Sequence, residues 1–449
     1  MKEKVLEILS DIRADLDFEM QTDLVSGKTL ASFDIISIVS ELCDEFDIEI
    51  GQSTLWQRTL THWMLSRHWL RSWWKSKMLE KFETPAFFFN TDAFADQIRM
   101  VKGKLGDVTL TYSVKANAFL LSALPDEISH VEVCSPGELQ ICKIAGIPGS
   151  RIIYSGVNKE RVDISDALHY GADIVTAESL KHLALEQELA QKMGLRQKVL
   201  LRLTSGNQFG MSEEDIFSAF SESYPNLVFW GIHYYSGTQK KLRQMRKDIG
   251  KLTKFIETLN DRYRYTPQLV EYGPGLPVDY FGETSGTDPL DEIVPDLKEL
   301  AAQYPLGIEM GRFFASACGI YATKVMDIKK NDEVNYVILD GGIHHLKYYG
   351  QMMAMQIPEI SVEGTLSGEA NYCLCGSLCT VADVLVRDVT LPALQEGSII
   401  SFKNCGAYAV TDGSSLFLSR KLPAVYLTNN TGKITKLREL SETFHLNFR

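Results

Sequence analysis

The sequence has no excess of positive charge. Its 449 residues include 58 Asp and Glu against 46 Lys and Arg, a formal net charge of −12. This balance argues against nucleic acid or an anionic membrane surface as the main partner. No apolar run approaches the length of a membrane span. Met1–Lys4 lead into an acidic amphipathic stretch rather than a signal peptide, so we expect a cytoplasmic protein.

The sequence also lacks regularly spaced cysteines. Its eight cysteines are scattered, which argues against a disulfide framework. Cys373, Cys375 and Cys379 lie close together, but metal sites usually show paired spacings and a fourth ligand, so we expect no metal site. The chain is 45% hydrophobic and 23% charged, as in a soluble globular protein, and it is long enough for two or three domains.

Residues 1–50 carry most of the net charge. They contain thirteen acidic and four basic residues, a net charge of −9. Apolar residues recur at helical spacing, which predicts a small acidic helical module. Its segment 23–50, DLVSGKTLASFDIISIVSELCDEFDIEI, resembles an acyl carrier protein, and Ser32 would carry 4′-phosphopantetheine. Ala31 stands where that family usually has Asp, and the alternative is that Ser32 is a plain helix N-cap.

Residues 51–80 differ in kind, because five of the six tryptophans lie there among basic residues. Such a run resembles an amphipathic membrane helix. We favour a different interpretation: another reading frame of QRTLTHWMLSRHWLRSWWK permits ENFDSLDALSALVEELVE, which is similar to the later helices of a carrier protein. Residues 51–80 are therefore a linker that could arise from a frameshift, with Met78 as a natural start. Resequencing the DNA tests this.

From residue 81 onward, short apolar runs alternate with segments of helix length. Examples of the runs are 131–134, 151–154, 173–176, 199–203 and 227–233, with a helix expected at 179–192. This pattern predicts a parallel (β/α)8 barrel over residues 81–315. Hairpin-like segments such as 320–328, 334–340, 398–403 and 424–427 then predict a β-rich domain over residues 316–449.

One lysine lies where the first barrel strand should end. The run Val108–Val114 mixes β-branched and aromatic residues, and Lys115 follows it. An amine at that junction is a candidate for Schiff-base formation with a cofactor at the mouth of a barrel. The alternative is a solvent-exposed lysine at a strand end.

Other polar or glycine-rich motifs follow later strands. They contain His233 in GIHYYSGT, Gly273-Pro274-Gly275 in YGPGLP, and Glu309 with Arg312 in EMGR. Each has a plain alternative, namely a packed histidine, an ordinary turn and a surface ion pair. Their shared position favours function, because active sites form at the carboxyl ends of barrel strands.

The ordered motifs YSVKAN, CSPGEL, GIHYYSGT, YGPGLP, EMGR, CGSLC and GAY resemble the fold-type III pyridoxal-phosphate decarboxylases, which include diaminopimelate and ornithine decarboxylases. The similarity covers about residues 80–430. It implies that Lys115 binds pyridoxal 5′-phosphate, that His233 stacks on the pyridine ring, and that Glu309 keeps the ring nitrogen protonated. Other residues implied in cofactor binding are Glu132, Arg202, Ser236, Gly237, Gly273, Pro274, Gly275, Arg312 and Tyr408.

The resemblance also implies a homodimer with shared active sites. Cys379 would reach into the partner's site and reprotonate Cα after CO2 leaves. Decarboxylases of free diamino acids carry Asp or Glu at the next position, whereas this chain has Thr380. A buried ammonium without its carboxylate partner costs about 3–5 kcal/mol. The distal end of the substrate is therefore expected to be neutral, and Thr380 and the nearby Asp383 are expected to contact it.

These observations predict decarboxylation of a carrier-tethered L-amino acid. The motifs are most similar to those of γ-glutamyl carrier protein decarboxylases, as in butirosin biosynthesis, with the carrier in cis or in trans. Three alternatives stay open: a decarboxylase of a free amino acid such as diaminopimelate, ornithine or lysine, an amino-acid racemase, and a catalytically dead regulator. Cys379 argues against the racemase, and the retained Lys115, His233 and Glu309 argue against the regulator.

Overall fold

The computed structural model describes residues 79–282, 288–351, 353–363 and 367–448. The carrier-like module expected at 1–50, with Ser32, lies outside the described residues, as do residues 51–78 of the expected linker. In the described part, no helix combines the length and the apolar character needed to cross a bilayer.

Eight parallel strands close into a barrel, which confirms the predicted (β/α)8 architecture. The strands are short and largely buried, because helices cover them outside and side chains fill the interior. The last strand pairs with the first, and Glu309 lies opposite Thr111 at this closure. The barrel strands are β2 Thr109–Ser113, β3 Ile128–Val133, β4 Ile152–Tyr154, β5 Ile174–Ala177, β6 Gln197–Arg202, β7 Leu227–Tyr235, β8 Leu269–Gly273 and β9 Leu306–Met310.

Helices connect the barrel strands, and serine caps set where several of them begin. Ser135, Ser179 and Ser212 each accept a hydrogen bond from the backbone N–H three residues later. The helix expected at 179–192 is confirmed, with Ser179 as its N-cap. The helices are α1 Thr91–Leu105, α2 Pro136–Ile144, α3 Arg161–His169, α4 Leu180–Met193, α5 Glu213–Ser221, α6 Leu242–Tyr263, α7 Pro289–Gln303, α8 Arg312–Ala315 and, after the sheet domain, α9 Phe444–Asn447.

A mixed sheet follows the barrel and confirms the expected β-rich domain. Its strands are β1 Ala86–Asn90, β10 Gly319–Asn331, β11 Val334–Leu339, β12 Ile360–Val362, β13 Glu369–Cys375, β14 Val384–Pro392, β15 Ile399–Phe402, β16 Ala424–Thr428 and β17 Ile434–Arg438. The main path runs in the order β14-β13-β11-β10-β1-β16-β17, while β15 pairs with β10 and β12.

One interior strand of this sheet comes from the other end of the described chain. Strand β1, Ala86–Asn90, pairs antiparallel with β10 and parallel with β16. All five of its residues are buried, and Phe87 packs on Tyr321 with ring centroids 4.9 Å apart. The range 81–315 expected for the barrel therefore contains one strand of the sheet domain. Barrel and sheet lie in one compact unit, Leu79–Arg449.

Candidate active site

The Lys115 amine lies just past the end of β2, between two carboxylates. Its Nζ is 2.8 Å from Glu132 Oε2 at the end of β3 and 3.8 Å from Glu309 Oε1 on β9. Burial lowers the pKa of Lys115, but the two negative charges outweigh it and hold that pKa well above its ordinary value. The side chain is still 35% exposed, so the amine is held by charge and remains reachable.

Glu309 and His233 form a buried pair deeper in the barrel. His233 Nε2 lies 3.1 Å from Glu309 Oε2, and Ser113 Oγ donates to Glu309 Oε1 at 2.9 Å. Burial raises the pKa of Glu309, but Lys115 and the hydrogen-bonded His233 outweigh it and hold the pKa well below its usual range. Glu309 is therefore a permanent anion in a water-poor site. His233 Nδ1 is buried and has no hydrogen-bond partner among the described residues.

Two glycine-containing loops cross after β7 and β8. A Cβ at Gly275 would lie 2.1 Å from Gly237 O, so only glycine permits this approach. A Cβ at Gly237 would meet no atom within 4 Å, which shows open space beside the loop. Ser236 Oγ donates to Asp248 Oδ2 at 2.6 Å. Pro274 has no N–H, so it stiffens the second loop and removes one donor from it.

Arg312 begins α8 and faces the same loops. Its Nε donates to Thr238 Oγ1 at 3.1 Å and its Nη1 donates to Tyr280 OH at 2.8 Å. The guanidinium lies 4.5 Å from the ring centroid of Tyr408 and 4.9 Å from that of Tyr349. Burial raises the pKa of Tyr408 to about 12, so its hydroxyl remains a hydrogen-bond donor. Arg312 and Tyr408 therefore supply a cation and a hydroxyl beside the glycine loops.

The two other predicted cofactor residues, Glu132 and Arg202, have different partners in the structure. Glu132 contacts Lys115 directly. Arg202, at the end of β6, is instead paired through Nη1 with Glu178 Oε1 at 2.7 Å. Its Nε is buried without a hydrogen-bond partner in the described ranges. Arg202 thus lies at the correct edge of the barrel, but its charge is used by Glu178.

Two neighbours of Lys115 were not predicted as site residues. Cys134 Sγ donates to Glu132 Oε1 at 3.1 Å and lies 3.5 Å from Lys115 Nζ. The ring centroid of Tyr235 is 5.9 Å from the same amine. Both residues lie inside motifs recognised from the sequence, CSPGEL and GIHYYSGT. Their position in those motifs is the feature of the sequence that could have identified them as site residues.

Glu271 on β8 is a third residue that sequence reasoning missed. Its carboxyl is buried, and its Oε2 lies where a Cβ at residue 307 would come within 2.1 Å, which explains Gly307. Burial raises the pKa of Glu271 to about 8, and the nearby charge of Glu309 adds to the rise. Glu271 is therefore a neutral acid at physiological pH, whereas Glu309 on the adjacent strand β9 is ionised.

The residues expected from a partner subunit lie in a loop of the sheet domain, after β13. Cys379 and Thr380 are exposed. Asp383 is 3% exposed, and its two carboxylate oxygens accept from the backbone N–H groups of Ile343 at 2.8 Å and Leu378 at 2.7 Å. This gives Asp383 a role in the structure of the loop, which differs from the substrate contact expected for it. In the described part of the chain, no hydrogen bond or ion pair joins the loop to Lys115 or Glu309.

The barrel residues fit pyridoxal 5′-phosphate. The site offers a reachable primary amine, a buried permanent carboxylate, an imidazole with an unpartnered nitrogen, and an open glycine cradle next to a cation. These groups match the aldehyde, the ring nitrogen, the ring face and the phosphate of that cofactor. Lys115, Glu132, His233, Glu309 and the glycine loops are brought together at the carboxyl ends of the strands.

Known proteins are similar to this chain over about four fifths of its length. The L-glutamyl-[BtrI acyl-carrier protein] decarboxylase of Niallia circulans is 27% identical over 387 residues, covering 79% of this chain and 90% of that protein. A diaminopimelate decarboxylase of Aquifex aeolicus is 24% identical over 388 residues, covering 81% of this chain and 91% of that protein. The crystal structure of diaminopimelate decarboxylase from Helicobacter pylori complexed with L-lysine superposes with a TM-score of 0.72 at 23% identity, covering 82% of this chain and 97% of that one.

The family described as pyridoxal-dependent decarboxylase, C-terminal sheet domain, matches residues 111–406. That range begins on the strand before Lys115, runs through both glycine loops and Glu309, and ends in the motif that contains Tyr408. The matched range therefore contains Lys115, Glu309 and both glycine loops, together with most of the barrel and part of the sheet domain. The chain belongs to the pyridoxal-dependent decarboxylases, and the protein is a pyridoxal-phosphate-dependent amino-acid decarboxylase.

Proposed function

We propose that the protein releases the α-carboxylate of an L-amino acid whose far end is uncharged and held on an acyl carrier protein. γ-Glutamyl carrier protein is the leading candidate. Its α-amino and α-carboxylate groups are free, while its side-chain carboxylate is neutralised as a thioester. The similar protein from Niallia circulans is named for an L-glutamyl carrier protein, which supports this substrate.

One observation carries the proposal: the Cys379 loop offers no free carboxylate. Thr380, Val381 and Ala382 follow Cys379, and the acid next along the loop, Asp383, is buried with both oxygens bonded to backbone N–H groups. An ammonium brought there would lose its hydration without gaining a partner, at a cost of about 3–5 kcal/mol. The loop therefore suits a neutral distal group.

The barrel residues divide the chemical work. The bound cofactor supplies a conjugated ring that accepts the electron pair left by the departing carboxylate. Glu309, ionised at all working pH values, holds a proton at the ring nitrogen. His233 provides a flat imidazole face, fixed by its bond to Glu309. Lys115 would hold the cofactor through its amine, and Glu132 positions that amine.

Cys379 completes the reaction in this proposal. Its exposed thiol would enter the site of a second copy of the chain and donate a proton to Cα after CO2 departs. This requires a homodimer in which each sheet domain serves its partner's barrel. A carrier that delivers the substrate raises its effective concentration towards the mM range.

The decisive experiment measures CO2 release from glutamyl carrier protein beside free glutamate, lysine, ornithine and diaminopimelate. We expect the tethered substrate to give the highest kcat/KM. Thr380→Asp should then raise kcat/KM for free lysine or ornithine about tenfold or more, since it restores an anion. Val381→Asp, with its acid one position away on a 98% exposed residue, is the matched control. Faster turnover of a free amino acid by the unaltered enzyme would reject the tethered substrate.

A second candidate is a decarboxylase of a free amino acid. The similarity to diaminopimelate decarboxylases over 81% of this chain favours it. The same assay decides, because the two functions rank its substrates in opposite order. In that case the distal group of the substrate would contact residues other than Thr380.

A further inference from the structure

Lys240 is a buried cation beside the two glycine loops, and the residues expected to bind the cofactor do not include it. Its side chain is 7% exposed. Its Nζ lies 2.6 Å from Asp248 Oδ2 and donates to Ser236 Oγ at 2.9 Å. The ring centroid of Tyr272 is 5.6 Å away. A buried ammonium with one carboxylate and one hydroxyl as partners is costly to place, which suggests a function.

Lys240 is fixed at the crossing of the loops. Its backbone N–H donates to Gly275 O at 2.9 Å, and a Cβ at Gly275 would lie 2.8 Å from Lys240 Cε. The preceding residue, Gln239, bonds through its side chain to both Val278 N at 2.6 Å and Val278 O at 2.9 Å. The stem of Lys240 therefore packs against the second loop, and these contacts hold the two loops together.

The Ser236 hydroxyl has a single proton, and Asp248 and a bound phosphate would compete for it. In this structure the proton goes to Asp248. A phosphate dianion at the cradle needs the same proton, because a hydroxyl that presents only lone pairs repels it. Lys240 already donates to Asp248, so this carboxylate stays satisfied when Ser236 turns away. Lys240 also donates to Ser236 Oγ, which strengthens the hydroxyl as a donor.

We propose that Lys240 is a positioning residue of the phosphate site, which satisfies Asp248 and so frees the Ser236 proton for a phosphate monoester. The inference rests on the phosphate lying at the two glycine loops. It is independent of which amino acid is decarboxylated.

The test uses the full-length protein without cofactor and two probes, pyridoxine 5′-phosphate and pyridoxine, by calorimetric titration. Neither probe has an aldehyde, so Lys115 chemistry does not contribute. Lys240→Met should weaken binding of the phosphorylated probe about 10- to 100-fold, as for loss of a hydrogen bond to a charged group, and leave pyridoxine binding unchanged. Lys241→Met, at the exposed neighbouring lysine, should bind both probes normally.

Second-site variants separate this role from a merely structural one. Asp248→Ala should retain or strengthen affinity for the phosphorylated probe, because Ser236 loses its competing acceptor. Lys240→Met with Asp248→Ala should recover most of the affinity that Lys240→Met loses. The proposal would be overturned if Asp248→Ala binds the phosphorylated probe more weakly than the unaltered protein does. It would also be overturned if the double variant binds that probe no more tightly than Lys240→Met does. Normal phosphate binding by Ser236→Ala would also overturn it, by showing that the phosphate binds elsewhere, and this outcome leaves the proposed substrate untouched.

Discussion

Replacing Glu271 with Gln should make the protein more stable at alkaline pH. Its carboxyl is buried in the barrel, and burial raises its pKa to about 8 from an ordinary value of 4.5. Between these two pH values the unfolded chain has lost this proton while the folded chain keeps it. The stability that the protonated form contributes is thus complete below pH 4.5 and disappears as pH rises through about 8.

The size of the effect follows from the same two values. Each pH unit in this window removes about 1.4 kcal/mol from the free energy of unfolding. The total loss above pH 8 therefore approaches roughly 5 kcal/mol for this one residue. Glutamine has the same shape and no proton to lose, so Glu271→Gln should not suffer that decline. The variant and the unaltered protein should be similar near pH 5 and differ by several kcal/mol at pH 9.

Urea unfolding of the full chain, followed by circular dichroism at pH 5, 7 and 9, measures this difference. Glu299→Gln is the matched control, because Glu299 is an exposed glutamate on α7. Its urea midpoint should follow that of the unaltered protein at every pH. A constant offset between Glu271→Gln and the unaltered protein from pH 5 to 9 would refute the reasoning, since it would show that Glu271 does not titrate differently on folding.

Three further substitutions test the site. Lys115→Ala should abolish the visible absorption of the lysine-bound cofactor and the mass shift seen after borohydride reduction; a retained band would place the attachment elsewhere. Glu309→Gln should lower kcat about 10²- to 10³-fold with little change in KM, because it removes the anion that holds the ring nitrogen protonated; an unchanged kcat would contradict that role. Cys379→Ala should slow turnover about 10²-fold or more, or divert it to transamination, and unchanged rates and products would remove its role as proton donor.

The barrel was predictable because its strands are buried on both faces. Such strands appear in sequence as short apolar runs, and the helix-length segments between them leave only parallel pairing. The position of β1 was not predictable in the same way. Ala86–Asn90 reads like any other buried strand, and its membership of the sheet depends on pairing with Gly319–Asn331 and Ala424–Thr428.

The residues of the candidate site were also predictable only in part. Lys115, His233 and Glu309 were recognisable because strand ends recur at one edge of a barrel, and the structure brings them together. Asp383 was not interpretable from its neighbours in sequence, because one of its two partners, the N–H of Ile343, comes from a distant segment. Lys240 was not recognisable from the sequence either, because its importance depends on its contacts with Ser236, just after β7, and with Asp248, on α6.

The pairing of β1 with β16 joins a strand that is synthesised early to one that is synthesised more than 300 residues later. The strand Ala86–Asn90 leaves the ribosome before the whole barrel, and its parallel partner Ala424–Thr428 follows after it. Until then the edge of Phe87–Phe89 that will face β16 has no permanent neighbour, and such edges attract other chains. The nascent protein should therefore depend most on chaperones late in translation. A ribosome stalled just before residue 424 should hold a finished barrel beside an unfinished sheet.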